Sequence, residues 1–113
     1  MDIEQADIVL CEFYFSDLAQ SKKRPVLVFK DNLPYSDFIA IPISSKIQKL
    51  HADEILLDNI NFLEGAIPIT SKLMIRKTFV VSKASIVKKY GKLNETSYSR
   101  YHQAFCNYFG CEK

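Results

Sequence analysis

Cysteine and histidine are scarce in this chain, and their placement does not suit a metal. Cys11, Cys106 and Cys111 make an odd count with no C-x-x-C pair, and His51 and His102 lie far apart. A structural zinc needs four well-spaced ligands and a disulfide framework an even set, so both are set aside. Cys11 is expected to be a small buried hydrophobe and the other two free thiols near the C-terminus. There are only three glycines and four prolines, and no repeat, low-complexity tract or linker is visible. No apolar run approaches the length needed to span a bilayer. The start, MDIEQADIVL, is acidic and lacks the basic residues and small-residue cleavage site of a secretion signal. A cytoplasmic location without membrane association is therefore expected.

What is present fits one domain over residues 1–113, large enough to bury a core unaided. Charge is uneven along it. Residues 1–65 hold 6 Lys and Arg against 11 Asp and Glu, a balance of −5, whereas residues 66–113 hold 9 against 2, a balance of +7. Such a basic half suits a polyanion or an acidic partner; it equally suits a solvated face.

Alternation marks the strands. In DIVLCEFYF, residues 7–15, Val9, Cys11, Phe13 and Phe15 share one face. Residues 16–23 are expected to form a polar loop. Pro25 to Lys30 reads as a second strand buried on both faces, because its apolar run does not alternate. Proline pushes the preceding residue toward extended backbone, which places Arg24 where a rigid strand meets a mobile loop. In DFIAIPIS, residues 37–44, Ile39, Ile41 and Ile43 share a face, while Pro42 implies an edge or an irregularity. Residues 45–52 are a polar connection, 54–57 a short strand, and INFLEG ends in a turn. A longer strand is expected over 71–81; residues 84–93 suit either strand or helix, and a short strand before Gly91 is the favoured reading.

The C-terminal region reads as a helix. Asn94 suits an N-cap and Glu95 the first turn. Tyr98, Tyr101, Phe105 and Tyr108 form one apolar stripe, and Gly110 suits a stop. Five to seven short strands and a terminal helix imply a mainly β (α+β) fold, a small, strongly curved barrel closed or flanked by that helix.

Four segments carry a resemblance: ADIVLCEFYFSD, KKRPVLVF, FIAIPISSK and LMIRKTFVVSKASIVKKYGKL. In order and spacing, over roughly residues 5–95, the chain resembles the MazF/PemK toxins of bacterial type II toxin–antitoxin pairs. Ala6-Asp7 stands where that family usually has Gly-Asp. The resemblance implies an SH3-like barrel that forms a homodimer. It also implies a metal-independent endoribonuclease, without cofactor, that cleaves single-stranded RNA and is held inactive by a flexible acidic antitoxin. The implied chemistry is attack of a ribose 2′-hydroxyl on the adjacent phosphate, which requires charge stabilisation and proton transfer.

Carried over residue by residue, the family's functional arginine falls on Arg24, whose planar donors match phosphate oxygens. Its strand-end hydroxyl, usually threonine, falls on Ser44, which keeps donor and acceptor and loses a methyl. Lys22, Lys23, Lys46, Lys72, Arg76 and Lys77 are expected to hold the RNA backbone. Tyr35 is a loop candidate for stacking on a base.

The chain departs from the family at its Arg-x-Asp-Lys-like segment. Met74, Arg76 and Lys77 occupy the Arg, Asp and Lys positions, so the acid is missing. By chemistry His51 is the natural acid–base candidate, but in a polar connection it reads as a solvated loop residue. His102 reads as structural. The alternative is a toxin-fold binding module that has lost cleavage and acts on RNA or on a protein such as gyrase.

Overall fold

The structure is a computed structural model and describes residues 2–15 and 20–111. Among these residues the strands are β1 (Asp7–Phe15), β2 (Gln20–Lys30), β3 (Asp37–Ser44), β4 (Glu54–Leu57), β5 (Phe62–Gly65), β6 (Ser71–Met74), β7 (Phe79–Ser82) and β8 (Ile86–Leu93). One helix, α1 (Glu95–Phe109), follows. The strands form a curled sheet in the order β4-β6-β3-β2-β1-β8-β5, with β7 added to the first half of β3. The expected mainly β, strongly curved fold with a C-terminal helix is therefore present, as a half-barrel, with eight strands among the described residues where five to seven were expected.

Both faces of the central strands are covered. Leu27 and Phe29 of β2 join Ile8, Ile41, Ile43, Leu73 and Leu93 beneath α1. Val26 and Val28 join Val9, Cys11, Phe38 and Ala40 on the other side. This is why the apolar run of β2 does not alternate. The helix packs on the first cluster through Tyr98, Tyr101, Ala104 and Phe105. Tyr101 is fully buried and donates to the Leu56 carbonyl at 2.8 Å. Phe29 stacks on Phe105 at 4.3 Å and on His102, itself exposed, at 5.3 Å. Tyr108, expected in the stripe, is exposed. Asn94 caps the helix by accepting from Ser97 N–H at 2.8 Å. Gly110 ends it in the left-handed region.

Three expectations need correction. β2 starts at Gln20, so Ser21, Lys22 and Lys23 are strand and not loop; residues 16–19 of the expected loop lie outside the described residues. Arg24 is therefore not at a strand–loop junction; it pairs with Cys11 inside a long hairpin. The single strand expected over 71–81 is two strands separated by a tight turn at Ile75–Lys77. The Asp53 carbonyl accepts from Ile75 N–H at 3.3 Å, its carboxylate accepts from Arg76 N–H at 3.0 Å, and together they pin that turn. Finally, INFLEG contains strand β5, and β8 continues through Gly91.

β5 lies close enough to β8 that a side chain at Gly91 has nowhere to go. A Cβ there would sit 2.2 Å from the Glu64 carbonyl oxygen and 2.8 Å from the Gly65 Cα, backbone that cannot rotate away. Gly91→Ala is expected to destabilise the protein by about 1–3 kcal/mol, as overpacking does. Urea unfolding tests this, and an unchanged midpoint would mean that β5 shifts at no cost.

Candidate functional site

β3 changes partner along its length. Ile39 to Pro42 pair with β2, whereas Ile43 and Ser44 pair with Leu73 and Lys72 of β6. The β2–β3 ladder stops at Val26 and Pro42, and the next residue of β2 on that side is Pro25. Neither proline carries an N–H, so the ladder has few bonds to lose where it ends. Beyond this point the N-terminal half of β2 is held by β1 and diverges from β3. A cleft of about 660 Å³ opens between them.

All eight residues chosen from the sequence line this cleft: Lys22, Lys23 and Arg24 on β2, Ser44 and Lys46 at the end of β3, and Lys72, Arg76 and Lys77 on and after β6. Arg24 is half-buried, and the pairing with Cys11 fixes its backbone. The Ser44 hydroxyl accepts from Lys46 N–H at 3.1 Å, which leaves its own proton free to donate. Tyr35 is not part of this site. It is 93% exposed in the β2–β3 connection and does not line the cleft.

Lys72 differs from its expected role. Its side chain is 8% exposed, and its ammonium donates to Glu54 Oε1 at 2.8 Å and to the Lys49 carbonyl at 3.1 Å. It therefore braces the cleft floor. Other cations of the basic half are also engaged by acids of the first half. Lys89 and Lys92 each lie 3.3 Å from the fully buried Asp7, and Arg76 Nε is 4.0 Å from Asp53. Part of the charge asymmetry is thus internal pairing between the halves.

Glu54 and His51 are the residues that sequence reasoning undervalued. Glu54 Oε1 accepts from the His51 backbone N–H at 2.8 Å and lies 3.1 Å from His51 Nδ1. The Glu54 amide in turn donates to the His51 carbonyl at 3.0 Å. The H-A-D-E spacing was the available signal: residues three apart in a tight turn can close this ring of bonds. Among the described residues, no three or more His, Cys, Asp or Glu gather into a metal-holding group.

An apolar recess of about 360 Å³ adjoins the cleft. Phe13, Pro42, Met74 and Phe79 line it, and it shares Lys22, Arg24 and Lys77 with the cleft. A flat apolar group bound there would lie beside the arginine.

The family model for the PemK-like, MazF-like toxin of type II toxin–antitoxin systems matches residues 4–109. No curated protein matches the chain. Solved structures show the same fold at low identity. A MazE–MazF structure from Deinococcus radiodurans matches with TM-score 0.75 and 15% identity over 97% of each chain. A mycobacterial endoribonuclease in complex with its cognate antitoxin matches with TM-score 0.71 and 10% identity over 99% of each. The Mycobacterium tuberculosis toxin MazF-mt6 matches with TM-score 0.65 and 18% identity, covering 93% of this chain and 99% of its own.

The Glu54 cluster makes a pH prediction. Hydrogen bonds from Lys72, then from the His51 backbone and ring, outweigh burial and lower the Glu54 carboxyl from 4.5 to about 2. The folded state therefore favours the carboxylate. Its contribution to stability is fully present above pH 4.5 and is lost as pH falls toward about 2. Glu54→Gln is expected to be less stable than the parent at pH 7, with the gap narrowing between those limits. Denaturation series from pH 7 to pH 2 check this, and a pH-independent gap would refute it.

Proposed function

The chain belongs to the PemK-like, MazF-like toxins of type II toxin–antitoxin systems, and from that membership we propose that it is an endoribonuclease acting on single-stranded RNA. The observation that carries this reading is the convergence of Arg24, Ser44 and the lysines on one cleft, opened where two prolines part β2 from β3. RNA presents a phosphate every few ångströms, and a cleft with cations on opposing walls suits such a chain.

In this reading Arg24 faces the scissile phosphate and stabilises the charge that develops as the 2′-oxygen attacks phosphorus. Its strand backbone is held before substrate arrives, so little reorganisation is needed. The Ser44 proton donates to a phosphate oxygen. Lys22, Lys23, Lys46 and Lys77 hold the neighbouring phosphates. The apolar recess beside Arg24 takes the face of a base, a role that Tyr35, which does not line the cleft, leaves open. Products are a 2′,3′-cyclic phosphate and a 5′-hydroxyl, and the chemistry needs no metal. The protein works as a homodimer in the cytoplasm, and an acidic antitoxin segment laid in the cleft blocks RNA entry and inhibits it.

A binding module without cleavage is the competing reading. What favours it is Met74, an apolar residue lining the cleft where related toxins place an arginine.

Cleavage of a long single-stranded RNA with chelator present separates the two. Arg24→Ala is expected to slow cleavage on the order of 10²–10³-fold. Ser44→Ala should slow it less, and Ser44→Thr should retain activity. Intact RNA after incubation with folded, antitoxin-free protein would favour the binding module.

A further inference from the structure

His51 sits in the cleft on the connection between β3 and β4, with a side chain 58% exposed. That connection is tied down on both sides of it. The Lys49 carbonyl accepts from Lys72, and the His51 amide and carbonyl are bonded to Glu54. An exposed ring on an anchored backbone is unlike an ordinary solvated loop histidine. Glu54, only 6% exposed, directs one ring nitrogen.

We propose that His51 is the general base of the cleavage reaction and that Glu54 is its positioning residue. This rests on the ribonuclease reading above and supplies the proton acceptor that the missing family acid leaves unassigned. The hydrogen bond determines the tautomer. Glu54 is an ionised carboxylate at neutral pH and can only accept, so Nδ1 must carry the proton toward it. Nε2 is then left with a lone pair, and it has no protein partner among the described residues. Glu54 itself is a poor base, because one oxygen already accepts from the His51 amide, the His51 ring and Lys72.

The step balances as follows. Nε2 takes the 2′-hydroxyl proton as O2′ bonds to phosphorus. The P–O5′ bond breaks with its electron pair on O5′, which takes a proton from water. The proton later leaving Nε2 neutralises the hydroxide formed. The charged groups sharing the cleft have separate parts in this. Glu54 holds the ring and Lys72 holds Glu54, while Arg24, Lys22, Lys23, Lys46, Arg76 and Lys77 meet phosphate or line the walls. Tyr90 also lines the cleft.

The test uses the full chain, a long mixed-sequence single-stranded RNA and chelator. His51→Ala is expected to cut at the same places as the parent but on the order of 10²–10⁴-fold more slowly. His51→Gln should match it, a second variant that preserves the side chain's size and polarity. Added free imidazole should restore part of the rate to His51→Ala and none to Arg24→Ala, a difference that a structural role for His51 would not produce. Nitrogen-15 NMR of the parent without RNA should show the neutral His51 ring protonated at Nδ1. Parent-like cleavage by both His51 variants, with Arg24→Ala inactive, would remove His51 and leave the ribonuclease reading standing. A neutral ring protonated at Nε2 would overturn the proposal whatever the cleavage result. Intact RNA with folded parent protein would end both readings together.

Discussion

The parting of β2 from β3 is the constraint on which the rest depends. A sheet strand that leaves its neighbour abandons hydrogen bonds, and buried unpaired backbone is costly. Pro25 and Pro42 stand at the parting, and neither has an N–H to leave unpaired. β3 then recovers a partner in β6, while β2 keeps β1. The sheet curls around this divergence, and the cleft is the space it leaves.

Charge compensation completes the site. Acids from the first half of the chain meet cations from the second: Glu54 with Lys72, Asp7 with Lys89 and Lys92, Asp53 with Arg76. These pairs join segments distant in sequence and neutralise charge that burial would otherwise penalise. Lys22, Lys23, Lys46 and Lys77 have no such partner among the ion pairs of the described residues. They line the cleft, which is therefore cationic.

The helix closes the same arrangement from behind. Its Tyr101 hydroxyl reaches β4 at Leu56 and its Tyr98 hydroxyl reaches β2 at Phe29, so one element spans both sides of the parting. Asn61 donates to Ser97 at 3.0 Å in a buried contact that docks the start of the helix on the β4–β5 connection. The cleft walls thus rest on a core they share, and that favours preorganised side chains over loops that close on arrival.

Local pattern determined much of this protein. Alternation in residues 7–15 and 37–44, the unbroken apolar run after Pro25, and the Asn94 and Gly110 caps each act through neighbours a few residues away, so the sequence alone carries them. Arg24 and Ser44 were picked out through a resemblance carried by short segments in a fixed order, and the structure brings them and the lysines to line one cleft. Tertiary structure decided what depends on contacts between distant segments. Asp53 breaks the strand expected over 71–81 by capturing Arg76 N–H, and nothing local to that segment announces it. β2 extends back to Gln20 because β1 offers it a partner, although residues 20–24 are polar. Lys72 points inward because Glu54 is there to meet it, while Lys46 and Lys77, the same residue type, line the open cleft. A charged side chain's role depends on which opposite charge the fold brings within reach, and spacing along the chain does not encode that.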